Sequence, residues 1–590
     1  MSVLLQVHQI SKSYGSQIIL EDATTSFSRH QKIGMIGRNG AGKSTLCRII
    51  TGEEEMDSGR VTRNAELRLS YLEQHDSFKL DETVIEFLAR KSGKEEWQCG
   101  EVAGRFQLKG DLLYTNIGSL AGGYRTRVKL TAMLLNDPNF LILDEPTNYL
   151  DLSTLVLLEN FLQDFKGGFL IVSHDREFLK RTCSSTLEAE NGHLTFYPGE
   201  IETYFEFKEE QFQQKLAYNK GVEAKKKQLQ DFVDRFKAKA STATRAKSKM
   251  KQIEKLQTIE IEHPMGTVNI RIPPVEKKGG VALFCEDLVI GYPGKEVARG
   301  IQFDIDRGSH VAVLGDNGQG KTTFLRTLAT DLQTLGGSFR WGTALKVAYY
   351  AQHVFSTLRP DDEVYSHLSR LAAPGVLQQD ILDLAGSFLF KGQDVKKKVS
   401  VLSGGERARL CLAGLLLTKS QVLLLDEPTN HLDFETVEAL AGALKTYEGT
   451  VFFISHDRTF VNLIATHILE VKDGRVKRYP GTYEDYVYHL EKRTAEELAA
   501  DGYGPREKKK KTGPAVSKSE IQATRHKIQE AEKKIEKLKK EQDALLVQCA
   551  ADPQNIRREH KDRLDELTEL LAEAEEDWLD LQEVLEEMED

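Results

Sequence analysis

Two stretches of this chain carry the same short motifs in the same order. A glycine-rich run reads GRNGAGKS from Gly37 to Ser44 and GDNGQGKT from Gly315 to Thr322. Lys43 and Lys321 stand 278 positions apart, as do Tyr14 and Tyr292, and Gln74 and Gln352; Asp144 and Asp426 stand 282 apart, as do His174 and His456. An offset held across a whole motif set means one module duplicated in tandem. At 590 residues the chain exceeds what a single core organises, so two like cores are expected, able to meet as an internal dimer.

The composition fits such a chain: 40% of residues are hydrophobic, 29% are charged, and no apolar run approaches the roughly 18 residues a membrane helix needs. The opening MSVLLQVHQISKSYG lacks a basic segment followed by a long apolar one, which reads as a cytoplasmic protein without a secretion signal. Six cysteines, at 47, 99, 183, 285, 411 and 549, form no CxxC pair and read as reduced packing thiols rather than a zinc site. The net charge of −10 hides strong local asymmetry.

Each glycine run follows a strand-like segment, KIGMI or VAVL, and precedes a helical pattern, which is the context of a P-loop. Glycines at 37, 40 and 42, and again at 315, 318 and 320, let backbone N–H groups converge on phosphate oxygens at a helix N-terminus. Lys43 and Lys321 would reach the β- and γ-phosphates, and Ser44 and Thr322 would ligate Mg²⁺. Downstream, FLILDEP and VLLLDEP deliver Asp144, Glu145, Asp426 and Glu427 to the end of a buried strand, where open α/β sheets bind nucleotides. The first acid of each pair would hold the metal's hydration shell. The second, Glu145 or Glu427, would orient or deprotonate the attacking water.

Both halves resemble ATP-binding cassette domains, over most of residues 1–206 and 281–492. By that resemblance Asn39, Thr45, Asn317 and Thr323 join the glycine loops in holding ATP, Tyr14 and Tyr292 stack on adenine, Gln74 and Gln352 sense Mg²⁺ and water, and His174 and His456 are switch histidines. VLSGGERAR resembles the cassette signature, with Ser403, Gly404 and Gly405 reaching ATP held by the other half; the first copy, SLAGGYRTR, departs from it with Ala121 in place of serine, leaving Gly122 and Gly123. Two composite sites are implied. One pairs Gly37–Ser44 with the intact signature, the other pairs Gly315–Thr322 with the altered one, which is expected to bind ATP and hydrolyse it more slowly.

Between the halves, residues 207–262 are helix formers without proline over most of their length. Lys225–Lys255 holds 11 basic and 3 acidic residues, an electrostatic footprint for a polyanion such as RNA. FVDRFKAKASTATRAKSKMKQIEKL resembles the interdomain linker of the ABC-F family, whose members act on ribosomes. That resemblance implies a helical hairpin whose Arg235, Lys237, Lys239, Arg245, Lys247, Lys249 and Lys251 contact RNA phosphates near tRNA and the peptidyl-transferase centre. After a flexible basic linker at 493–518, heptads at 519–590 broken by Asp552-Pro553 give an antiparallel coiled coil, similar to that of Uup-like members. The second heptad stretch, residues 556–590, has 15 acidic and 4 basic residues, so it would repel phosphates.

The expected fold is α/β: two ABC-type P-loop nucleotide-binding domains, a helical hairpin linker and a C-terminal coiled coil. The expected function is a monomeric ATPase using ATP and Mg²⁺ that acts on the ribosome, its rRNA and tRNA. A DNA-associated cassette ATPase of repair or recombination, contacting DNA through the C-terminal hairpin, is the alternative. A transporter motor subunit is a third reading, in which the basic linker has no purpose.

Overall fold

In the computed structural model, residues 3–15, 17–72, 78–79, 81–120, 122–147, 150–236, 270–275, 279–351, 354–430 and 432–500 are described. The chain divides into two units, Met1–Tyr503 and Gly504–Asp590, and every described residue belongs to the first. The coiled coil expected at 519–590 and the linker residues Lys237, Lys239, Arg245, Lys247, Lys249 and Lys251 lie outside the described residues.

Each half is built on a six-stranded sheet. In the first, strands Leu69–Leu72, Phe140–Asp144, Gly168–Val172, Lys32–Ile36, Ser185–Glu190 and His193–Tyr197 lie in that order. All pairs are parallel except the last. The second sheet repeats the order with Val347–Tyr350, Val422–Asp426, Thr450–Ile454, His310–Leu314, His467–Lys472 and Arg475–Tyr479. Phe140–Asp144 and Val422–Asp426 are buried at all five positions, as the unbroken apolar runs FLILD and VLLLD require of strands covered on both faces. A three-stranded antiparallel sheet flanks each: Gln17–Ser28, Val3–Tyr14, Ser58–Arg63, and their counterparts Lys295–Asp306, Val281–Tyr292, Gly336–Trp341.

A helical subdomain interrupts each sheet. In the first half Val84–Ser92, Glu96–Gly104 and Gly122–Leu135 pack around Phe87, Leu88, Cys99 and Val128. Thr83 and Glu86 close a capping box on the first of these helices. In the second half the counterparts are Val364–Leu371, Gln378–Ser387 and Gly404–Leu417. No described helix is long and apolar enough to cross a membrane. Cys47, Cys99, Cys183, Cys285 and Cys411 are buried free thiols.

The halves also pack against each other. Phe434 of the second half joins the first half's apolar cluster, and Leu152 of the first joins the second's. Charged pairs cross the same boundary: Arg176 to Glu438 at 2.7 Å, Arg181 to Glu491 at 2.6 Å and the buried Arg458 to Glu159 at 3.1 Å. Helix Ile201–Phe236 leaves the first half, its base held where the Tyr204 hydroxyl donates to Glu188 at 2.6 Å and Lys208 reaches Glu188 at 2.7 Å. On the far side of the linker, Ile270 and Val275 are buried in the second half's core.

Candidate functional site

The glycine loops are shaped by backbone constraints that only glycine meets. Gly37 has φ 148°, and a Cβ there would lie 2.4 Å from the carbonyl oxygen of Ala189; Gly315 has φ 144°, and its Cβ would lie 2.2 Å from that of Val471. The loops then enter helices Lys43–Thr51 and Lys321–Leu328 through Gly42 and Gly320, both left-handed. Each lysine folds back over its own loop, Lys43 Nζ donating to Gly37 O at 2.7 Å and Lys321 Nζ to Gly315 O at 2.6 Å. Burial lowers both ammonium pKa values against the opposing pull of the neighbouring acids, so each is a poorly solvated cation whose charge phosphate oxygens would complement.

The strand-end acids point at the same place. Ser44 Oγ donates to Asp144 Oδ1 at 3.1 Å and Thr322 Oγ1 to Asp426 Oδ1 at 3.3 Å, pairing a hydroxyl with a carboxylate beside each lysine. Such oxygen donors fit Mg²⁺, which takes one or two protein ligands and fills the rest with water and phosphate. One residue on, Glu145 and Glu427 adopt φ 50° and 53°, a left-handed conformation costing an ordinary residue about 1–2 kcal/mol. Their N–H groups are fixed to Val172 O at 2.8 Å and Ile454 O at 3.0 Å, so the turn is held by the neighbouring strand.

Among the described residues, neither buried oxygen of Glu145 has a hydrogen-bond partner. Burial, reinforced by Asp144 and opposed by Lys43, pushes its pKa up to about 8; Glu427 is pushed to about 8 in the same way, with Lys321 opposing. His174 Nε2 lies 3.3 Å from Glu145 Oε1, and His456 Nε2 lies 3.1 Å from Glu427 Oε1. Burial and the adjacent lysine press both imidazoles down to about 3, so these contacts join neutral histidines to their acids. Phe434, from the opposite half, stands edge-on to the His174 ring at 5.7 Å.

The first site is a cavity of about 1100 Å³. Tyr14, Asn39, Gly40, Gly42, Lys43, Ser44, Thr45, Asp144, Glu145 and His174 line it from one half, and Ser403 and Gly405 from the other. Gly404 begins the signature helix beside them. Ser403 caps that helix, its Oγ accepting from Glu406 N at 3.3 Å, which leaves the hydroxyl proton free to donate into the cavity. The second site is a cavity of about 410 Å³, lined by Tyr292, Asn317, Gly318, Gly320, Lys321, Thr322, Thr323, Asp426, Glu427 and His456. There the altered signature sits close: a Cβ on Gly123 would lie 3.5 Å from the Asn317 side chain. Gly122 opens the same helix. Gln74, Gln352 and Ala121 lie outside the described residues.

Sequence reasoning passed over two residues the structure brings in. Asp151 accepts the N–H of Asn317 at 3.0 Å, tying the first half to the second half's glycine loop. Arg409 faces the first cavity from the second half. Both were available as repeats 282 apart: Asp151 and Asp433 end the Pro-Thr-Asn and Leu-Asp run that follows the strand-end acids in each half, a motif that carries no assigned contact in the sequence, while nothing local distinguishes Arg127 and Arg409 from solvated charges.

Known proteins match this arrangement. An ABC transporter family model matches residues 20–148 and 298–430, and a second ABC transporter model matches 187–270. The chain is 36% identical to the putative ATP-binding protein YdiF of Bacillus subtilis (strain 168), covering 88% of this chain and 87% of that protein. It is 33% identical to the ABC transporter F family member 5 of Arabidopsis thaliana, covering 83% and 77%. A crystal structure of archaeal ribosome recycling factor aABCE1 with stalk protein aP1 superposes with a TM-score of 0.57 at 22% identity, covering 84% of this chain and 92% of that one, a likeness of fold. With two P-loop cassettes facing each other across paired signatures, and relatives of this identity over most of its length, the chain belongs to the ABC-F family of ATP-binding cassette proteins.

Proposed function

We propose that the protein is an ATPase whose two halves close on two ATP molecules and whose interdomain linker carries that closure to the ribosome. The observation behind this reading is the first cavity, in which one half supplies the P-loop lysine, the hydroxyl–carboxylate pair and a buried acid while the other supplies a capped signature serine. ATP bound there bridges the halves.

The γ-phosphate would draw Lys43 off the carbonyl of Gly37, and Ser44 and Asp144 would hold Mg²⁺, which when bound offsets phosphate charge. Ser403 Oγ–H and the N–H groups that open its helix meet the γ-phosphate from across the interface. As the carboxylate, Glu145 would orient the attacking water and take its proton, and His174 Nε2 beside it would fix the carboxylate's direction. The same roles fall to Lys321, Thr322, Asp426, Glu427 and His456 at the second site. Hydrolysis yields ADP and phosphate and removes the bridge.

The linker is placed to respond. One foot, the base of helix Ile201–Phe236, is clamped to strand Ser185–Glu190, which abuts the glycine loop at Gly37. The other foot, Ile270 and Val275, is buried in the second half's core. Each foot is thus anchored in a different half, so closure of the halves on ATP would change the span between them. The segment between them is the basic run, whose excess charge suits rRNA or tRNA phosphates. The fold is shared with a ribosome-bound archaeal ABCE1 at a TM-score of 0.53, but the ribosome reading rests on this basic run and the family's linker.

Co-sedimentation of the full chain carrying Glu145→Gln and Glu427→Gln with ribosomes, in ATP, tests this. Retention with ribosomes in ATP but not ADP is the expected result. Equal retention on duplex DNA at the same salt, with none on ribosomes, would replace the ribosome with DNA as partner.

A further inference from the structure

The last arginine of each signature helix occurs in both copies, as Arg127 and Arg409, and the two are in opposite situations. Arg127 is buried behind the second site. Its Nε donates to Thr154 Oγ1 at 2.8 Å, its Nη2 to Ser153 Oγ at 3.2 Å and its Nη1 to Gln107 Oε1 at 3.2 Å. Its guanidinium also lies 3.9 Å from Asp151 Oδ1. Asp151 turns its other oxygen to the N–H of Asn317 at 3.0 Å. A cation in one half thus fixes the carboxylate that grips the glycine loop of the other. Gly123 opens the same helix as Arg127, and a Cβ there would lie 3.1 Å from that carboxylate.

Arg409 holds nothing comparable. Among the described residues its buried Nε has no hydrogen-bond partner, and it borders both the first cavity and an adjoining one of about 600 Å³ that Asp433 and Glu435 also line. Asp433, the counterpart of Asp151, caps its helix as Asp151 does, Oδ1 accepting from Thr436 N at 3.1 Å and Thr436 Oγ1 at 2.6 Å where Asp151 Oδ1 accepts from Thr154 N at 3.0 Å and Ser153 Oγ at 3.1 Å, so the difference between the copies lies in the arginine and in the aspartate's other oxygen. Thr436 is the counterpart of Thr154, the residue that accepts from Arg127. Glu435 stands where the first half has Ser153, and its buried Oε2 also lacks a partner.

We propose that Arg127 and Arg409 are positioning residues for ATP hydrolysis. Each, on closure, locks the aspartate after its own half's strand-end acids against the opposite glycine loop, and that lock is formed at the second site and open at the first. Closure of the first site brings Arg409 onto Thr436, Asp433 and Glu435, turning Asp433 toward the loop at Asn39. Because a carboxylate replaces Ser153 there, the closed first lock includes an ion pair absent from the second. The inference rests on reading the two cavities as ATP sites.

Release of N-methylanthraniloyl-labelled AMPPNP from the full chain with Mg²⁺, followed by stopped flow, tests it. Lys43→Ala and Lys321→Ala each abolish the phase belonging to their own site and so assign the two phases. If neither removes a phase, the ATP-site reading itself fails, and the lock with it. Arg409→Ala should speed release from the first site about ten- to a hundredfold, the loss of a charged hydrogen bond that forms only on closure, with the second phase unchanged. Affinity for the labelled ADP, which does not close the site, should stay within about twofold. Arg409→Lys should recover only part of the effect, since an ammonium cannot fork. Arg127→Lys should speed the second phase alone, and it avoids the empty cavity that Arg127→Ala would leave. The proposal is overturned if either arginine variant shifts both phases equally, if labelled ADP weakens in step, or if Arg409→Ala leaves the first phase unchanged.

Discussion

The two composite sites come from one duplicated motif set, yet one encloses about 1100 Å³ and the other about 410 Å³. The wide site has the complete signature with Ser403; the narrow one has the altered signature, drawn against Asn317 with Asp151 bonded to it. Duplication fixes which chemical groups each site receives, and the packing between halves fixes how far apart they stand. At the second site the halves are joined by Asp151, which accepts the N–H of Asn317, with Arg127 beside it.

Removing both acids proposed as general bases gives the largest expected effect on that comparison. Glu145→Gln with Glu427→Gln should lower ATP turnover by about 10²–10⁴-fold while ATP binding persists, measured as phosphate release and filter-bound nucleotide. Parental turnover in this variant would remove the assigned roles. Separated, the two changes should differ: Glu145→Gln disables the site completed by Ser403 and should depress turnover more than Glu427→Gln. Equal losses in steady-state assays would make the sites equivalent despite their shapes.

The cross-half arginines at equivalent positions sharpen the comparison in stability. Arg458 and Glu159 are both about 4% exposed, so Glu159→Ala strands a buried cation and should cost about 3–5 kcal/mol in denaturant unfolding. Arg176 and Glu438 are exposed to solvent at 29% and 47%, and Glu438→Ala should cost under about 1 kcal/mol. Reversal of that order would mean the interface opens in solution where Arg458 is buried here.

Asp151 gives an intermediate effect with a pH signature. Burial alone would raise its pKa, but the Asn317 N–H, Thr154 and Arg127 hold it at about 2. A folded pKa below the unfolded value of roughly 3.9 stabilises the native state above that value, by about 2 kcal/mol, and is lost as pH falls through 4 toward 2. Asp151→Asn should be less stable than the parent at neutral pH and lose less between pH 4 and 2. Parallel curves would mean the Asp151–Asn317 bond is not kept in solution.

Much of the site was readable from residues because each motif solves a local problem. GRNGAGKS needs glycine where the backbone passes 2.4 Å from where a Cβ would collide with Ala189 O, and FLILD needs apolar residues because both sheet faces are covered. Asp151, Arg127 and Arg409 were not readable in that way. Asp151 does its work across the interface, on Asn317 of the other half, Arg127 acts through Asp151, and Arg409 lines a cavity that both halves share. The continuity of helix Ile201–Phe236 from cassette into linker was also hidden, since the composition shift near Phe207 marks a change of charge within one helix rather than its start.

The sequence by itself determined the two P-loop halves, the order of their motifs, the acids and histidines assigned to each, and the loss of a serine at position 121. Periodicity, glycine spacing and buried strand runs are local consequences of backbone geometry, so duplication carries them intact. Only the tertiary structure decided that the two sites have cavities of different volume, that Arg127 is engaged by three hydrogen bonds while Arg409 is not, and that the chain re-enters the second half's core at Ile270 and Val275. Those features depend on how two surfaces that share motifs but differ elsewhere, as at Ser153 against Glu435, pack against each other, which no local pattern encodes.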